Sequence, residues 1–251
     1  MFRCAVLCAF CAFFSLSSVT QTLRDKTEEP HIAVGVLHAR NSLVMATRNA
    51  RISIARLREP HKAQKIYNKA ITAWMKRRPE EALRNLDSAL RIYPTFPEAL
   101  TLCGVIEASL QHWESAEQKL LASIQIDPAF SPAYVILAGV YNTEDRFDEA
   151  QQMIQQALSA GDDNCHLQYE IARSLIGKRE YESALASTET ALRSTPDQGL
   201  LHLAKAHALL GLRRYPQAAE ELTAYLRYEP SGNGSVETSN LLHRVQRIVS
   251  Q

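Results

Sequence analysis

Glycine and proline are scarce in this 251-residue chain, at nine and ten residues, and aromatic side chains make up 7% of it. That scarcity excludes collagen-like and low-complexity classes. Net charge is nearly absent, with 28 Lys+Arg against 27 Asp+Glu, so there is no global pull toward nucleic acid. Disorder is excluded for the bulk of the chain, because 46% apolar residues can bury enough surface to offset conformational entropy. Chemistry-bearing motifs are missing as well. The sequence has no phosphate-binding glycine loop, metalloprotease helix motif, nucleophile elbow or zinc-type cysteine pair. No catalytic residue, cofactor or metal site is therefore assigned, and the chain is not expected to be an enzyme. The nearest constellation is His166 and Glu170, four apart on one helix face. It would hold a metal only with ligands from a neighbouring helix, and the plainer expectation is a surface pair. Cys165 beside His166 lacks a nameable base or orienting group.

The neutral total hides an uneven distribution. Residues 40–93 hold 13 Lys+Arg and 4 Asp+Glu, whereas residues 94–163 hold 2 and 11. Cysteine is uneven too. Three of the five lie at Cys4, Cys8 and Cys11, inside an apolar run from Cys4 to Phe14 that follows Arg3 and gives way to Ser15-Leu-Ser-Ser-Val-Thr20. A cation, a short apolar stretch and a small-residue tail make a secretory signal peptide, with cleavage expected near Thr20. The run is shorter than the roughly 20 residues of a membrane span, though an uncleaved signal would serve as an anchor. A lipoprotein signal fits poorly, because Arg3, Leu7 and Phe10 precede the three cysteines. The expected location is thus periplasmic or secreted, or held at the inner membrane by the uncleaved signal.

A period of 34 residues organises the rest. Pro94, Pro128, Pro196 and Pro230 stand 34, 68 and 34 apart. On that ruler Ala82, Ala116, Ala150, Ala184 and Ala218 fall in register. So do Ala70, Gly104, Ala138, Ala172 and Ala206. Aromatics recur at Trp113, Phe147, Tyr181 and Tyr215, and aliphatics at Leu90, Ile124, Leu158, Leu192 and Leu226. The two small columns, about a dozen positions apart, let paired antiparallel helices approach closely. The aromatic opens the second helix, and the proline just past its end forces the next turn. Where that proline is absent, Gly161-Asp162 is expected to supply a glycine cap.

These columns resemble the tetratricopeptide repeat family, and the lead-in with Lys62-Ala-Gln-Lys65 resembles that of exported bacterial members. The resemblance implies an all-α, right-handed solenoid of five helix-turn-helix units at 63–96, 97–130, 131–164, 165–198 and 199–232. A capping helix over 235–250 follows the break Ser231-Gly-Asn-Gly-Ser235. Residues 21–61 read as a linker, with one possible short strand over 50–58. Lys69 and Tyr225 depart from their columns in terminal units, where a capping surface is expected.

In the resembled family the first helix of each unit lines a concave groove. By register this groove includes Tyr67, Ile71, Thr101, Val105, Val135, Asn142, Tyr169, Arg173, Leu203 and His207. The implied function is a non-catalytic protein-interaction scaffold that takes a protein or peptide in that groove. Some of these aliphatics could equally pack between helices. Tyr67, Ile71 and Thr101 stand where carboxylate-clamp members carry Lys and Asn, so an acidic C-terminal peptide is not the expected ligand. The alternatives are an enzyme or enzyme subunit using the groove for a small substrate, and a membrane-surface adapter using its basic face. That face is Lys62, Lys65, Lys69 and Lys76 in one helical stripe, with Arg77 and Arg78 beside it. It suits anionic lipid or weak self-association through the Glu114, Glu117, Asp145, Asp148 and Glu149 region of another copy.

Overall fold

The computed structural model describes residues 60–230 and 234–250, and the readings of a signal peptide, a linker and a strand over 50–58 lie outside them. Among the described residues there are eleven helices and no strand. They run α1 (His61–Met75), α2 (Pro79–Ile92), α3 (Pro97–Ser109), α4 (Trp113–Ile126), α5 (Ser131–Thr143), α6 (Phe147–Ser159), α7 (Cys165–Gly177), α8 (Tyr181–Ser194), α9 (Gly199–Gly211), α10 (Tyr215–Tyr228) and α11 (Ser235–Val249). Successive pairs form five antiparallel hairpins that stack into a right-handed α-solenoid, and α11 packs on α10 to close it.

The two helices of a hairpin are buried differently. Each second helix buries a single stripe at spacings of four and three, as in Ala82, Leu86 and Ala89 of α2 or Ala150, Ile154 and Ala157 of α6. That is the pattern of a surface helix with one apolar edge. The first helices α3, α5, α7 and α9 are buried almost all round, because each lies between its own partner and the neighbouring units. Where the two small columns cross, a side chain on Gly104 would bring its Cβ within 2.6 Å of Leu120 and 3.2 Å of the Ala116 carbonyl. Close approach of the backbones is the reason for those columns.

The turn inside each hairpin uses a residue the sequence does not advertise. Arg77, Gln111, Asp145, Arg179 and Arg213 recur every 34 residues with φ of 57°, 62°, 58°, 63° and 58°. After each of them the next amide reaches back across the helix end, as from Arg146 N to the Tyr141 carbonyl at 2.9 Å and from Arg214 N to the Leu209 carbonyl at 2.8 Å. This closure satisfies the last carbonyls of the first helix and holds a non-glycine residue in the left-handed region five times over. At the break without proline, Gly161 has φ 81° and Asp162 N donates to the Ala157 carbonyl at 3.1 Å, which is the glycine cap expected there.

The aromatic column does more than fill space beside the turn. The rings of Phe147 and Tyr181 lie against Gly177 and Gly211, the last residues of the first helix in the following unit. Tyr225, expected on a capping surface, is instead 1% exposed. It fits there because Gly199 and Gly234 leave room for its ring and hydroxyl. Cys103 is a free buried thiol, pushed up to about 12 by burial, and so packs as a small apolar side chain. Among the described residues no helix is long and apolar enough to cross a membrane.

Candidate partner-binding face

Of the ten residues placed on the groove by register, Tyr67, Thr101, Val105, Val135, Asn142, Tyr169, Arg173, Leu203 and His207 are buried and Ile71 is half-buried. Thr101 turns its hydroxyl to Ser123 Oγ at 2.9 Å, inside its own hairpin. Four of the others come together around α7.

At the centre of that cluster is Glu170, which has no exposed surface. Arg173, one turn further along, donates from Nη1 to Glu170 Oε2 at 3.0 Å, and its Nη2 donates to Thr143 Oγ1 at 3.3 Å. Asn142 on α5 donates from Nδ2 to the Glu170 side chain at 2.9 Å and to its carbonyl at 3.0 Å. Room for the carboxylate comes from Gly139, where a Cβ would lie 3.1 Å from Glu170 Oε1. The Arg173 guanidinium stands over the Tyr169 ring, 5.8 Å from its centroid. On α9, His207 is held down to about 4, first by burial and then by the charge of Arg173, so it is neutral near pH 7. Expectation and structure differ at one pair: His166 and Glu170 are both wholly buried and not a surface pair. A charged residue belongs there because an arginine, an asparagine and a glycine are placed to receive it. Among the described residues no group of three or more His, Cys, Asp or Glu is arranged to hold a metal ion.

The basic stripe lies elsewhere. Lys62, Lys65, Lys69, Lys76, Arg77 and Arg78 are exposed, and Arg78 pairs with Glu81 at 3.3 Å. The acidic region opposite has less free charge than its sequence implies. Arg146 clamps Glu117 at 2.8 Å, Glu144 at 3.2 Å and Glu149 at 2.5 Å, and Lys178 takes Asp148 at 2.6 Å. The hydrogen bond from Arg146 holds the Glu117 carboxyl below its ordinary range, against the opposing effect of burial. Glu117 and Arg146 are 29 residues apart on different units, a separation at which no sequence pattern links them.

A second cluster that the sequence did not show joins the last hairpin. His202 Nδ1 meets Glu221 Oε2 at 2.6 Å and its Nε2 meets the Pro196 carbonyl at 3.0 Å, while the ring stacks on Tyr228. Both ring nitrogens face acceptors, and only the doubly protonated imidazolium can donate to both. Burial opposes that charge, but the bonds to Glu221 and Pro196 outweigh it and raise His202 above its ordinary value, despite Lys205 nearby. Lys205 also holds Glu221 at 2.8 Å and approaches Glu189 at 3.8 Å. A raised histidine contributes stability that is full below its unfolded pKa and lost as pH rises through the folded one. His202→Gln is therefore expected to lower the melting temperature clearly at pH 6 and much less at pH 9. A gap that is constant or widens with pH would mean that His202 is not a folded-state cation.

The architecture defines an open repeat solenoid of helical hairpins, a class whose long preformed surface serves protein interaction. Models of the tetratricopeptide repeat match residues 67–129 and 203–235, and a further one matches residues 131–161. Together they span about half of the sequence, and the chain belongs to the tetratricopeptide repeat family. The unmatched stretch between residues 161 and 203 contains α7 and α8, where the Glu170 cluster replaces apolar positions yet the hairpin is kept. No curated protein matches the sequence. Solved structures share the fold at low identity. A thermophilic repeat protein from Thermus thermophilus has a TM-score of 0.64 at 18% identity, over 73% of this chain and 98% of that one. PilW, a widely conserved type IV pilus biogenesis factor, has 0.63 at 11%, over 76% and 93%. MamA from Desulfovibrio magneticus RS-1, residues 41 to the end, has 0.56 at 20%, over 69% and 98%.

Proposed function

We propose that this protein is an interaction scaffold that holds a partner polypeptide against its first-helix face. The observation that carries the reading is the tetratricopeptide repeat architecture, a row of first helices on which Ile71, Pro132 and Leu210 keep exposed surface. The reading is tested with a photo-crosslinking residue in place of half-buried Ile71 or Leu210 on first helices, and in place of exposed Leu121 or Leu158 on second helices. Crosslinks to one polypeptide from the first pair and not from the second are expected. Crosslinks from the second pair alone would move the site to the opposite face. Turnover of a small substrate with no polypeptide captured would replace the scaffold by an enzyme.

The protein acts outside the cytoplasm, on the support of Arg3, the apolar run to Phe14 and the small residues up to Thr20. The mass of the native chain tests this, since removal of about the first 20 residues is expected and a full-length soluble chain would oppose it. A second reading rests on the stripe Lys62, Lys65, Lys69 and Lys76. Lys62, Lys65 and Lys69 fall within a narrow arc of α1 at about 100° per residue, Lys76 follows at its C-terminal cap, all four are exposed, and among the described residues none is in an ion pair. That face adapts the scaffold to an anionic lipid surface. Flotation with anionic vesicles at low salt, lost at high salt and lost when the four lysines become glutamine, is the expected result.

A further inference from the structure

The apolar core does not run unbroken through the stack; it divides at α7. One cluster fills α1 to α6 and takes Leu167 from α7, with Ile171 packed against it. The other begins with Cys165, Tyr169, Ala172 and Ile176 on the remaining faces of α7 and continues to α11. The sequence register shows why. Leu102 and Ile136 fill the column in which unit four has Glu170, and Ile106 and Val140 fill the column in which it has Ser174. Among the described residues, apolar contact across the boundary thins to Leu167 and Ile171 against the first cluster and the Phe147 ring on Gly177, and the other links are polar. Asn142 donates to Glu170, Arg173 to Thr143, and Ser174 Oγ to the Phe147 carbonyl at 3.3 Å. Lys178 reaches back to Gln151 and Asp148. Here too the proline is missing, Gly161 takes its left-handed turn, and Leu158 is 41% exposed although Leu90, Ile124, Leu192 and Leu226 of its column are half-buried.

We propose that the solenoid consists of two cooperative blocks, α1 to α6 and α7 to α11, joined by this polar seam, so that either block can lose its packing while the other keeps it. Once the seam opens, water takes over its hydrogen bonds, so each is worth little net, whereas shared apolar burial is what couples neighbouring units. At the seam apolar burial is reduced and hydrogen bonds take much of its place.

Both tryptophans, Trp74 and Trp113, lie in the first block, so their fluorescence reports that block alone while far-ultraviolet circular dichroism reports both. Urea titrations of three core variants locate the boundary. Leu137→Ala, in the unit before the seam, is expected to lower the fluorescence midpoint by about 1 M. Ile176→Ala and Leu222→Ala, beyond the seam, are expected to leave that midpoint in place and to produce an earlier dichroism step holding nearly half of the helical signal. A variant that fails to fold its own block still gives a result, because the other block's signal is then expected to remain at its wild-type midpoint. Fluorescence midpoints that fall equally for Leu137→Ala and Ile176→Ala, with dichroism coincident, would overturn the two-block division.

Discussion

Arg173→Met is expected to destabilise the protein by about 3 to 5 kcal/mol, the largest effect of any single charged residue in the stack. The substitution keeps the length and much of the volume of the side chain but removes the guanidinium that stands 3.0 Å from the Glu170 carboxylate. Neither partner can turn to water: the two side chains are 7% and 0% exposed. A surface pair at the same spacing would contribute a few tenths of a kcal/mol, so the size of the loss separates a desolvated ion pair from an incidental one. Glu170→Gln combined with Arg173→Met is expected to recover most of the loss. The amide removes the charge and leaves an oxygen for Asn142 Nδ2, so the double-mutant cycle should show coupling of about 2 to 3 kcal/mol. Urea denaturation followed by circular dichroism measures all four proteins. A single variant within about 1 kcal/mol of wild type would place Arg173 effectively in water and rule out a desolvated ion pair with Glu170.

The same cluster marks the limit of what the sequence makes legible. Packing positions announce themselves, because a small residue every 34 positions has no use other than close approach of two backbones; Ala82 to Ala218 and Gly104 specify the hairpin and its stacking directly. Glu170 was visible only as a charge on a helix, and charges default to the surface. The signal that it is buried lies in the column: Leu102 and Ile136 precede it at the same register, so a carboxylate there needs partners. Asn142 and Arg173 supply them, and the first is 28 residues away on another unit. The five left-handed turn residues were illegible for a different reason. Three of the five are arginine, but Gln111 and Asp145 have neither its charge nor its shape; what all five share is the backbone closure that follows them, which only the folded chain contains. Tyr225 reads as an oversized residue in a small column until Gly199 and Gly234 are seen to make its space.

Gly104 gives the second large effect, and it tests the small column at its tightest point. In the structure the position faces Leu120 Cγ at 2.6 Å and Cδ2 at 2.9 Å, measured from where a Cβ would stand, and the Ala116 carbonyl oxygen at 3.2 Å. Leucine at 120 can change rotamer, but the carbonyl is part of the α4 backbone and can move only with the helix. Gly104→Ala is expected to cost about 1 kcal/mol net. Its gain of up to about 1 kcal/mol in helix propensity is outweighed by displacing the Leu120 branch carbon, 2.6 Å from the new Cβ in a core with no exposed surface. Gly104→Leu adds three more carbons with nowhere to go between α3 and α4 and is expected to cost about 3 kcal/mol. The same two replacements at Gly161 make the control, since φ is 81° there and nothing lies within 4 Å of a built Cβ. Strain at that turn depends on having a Cβ and not on its size, so Gly161→Ala and Gly161→Leu should each cost about 1 kcal/mol. Size dependence at Gly104 with none at Gly161 is the expected pattern in urea titrations. If Gly104→Leu proves as mild as Gly104→Ala, the small columns do not set the approach of the paired helices.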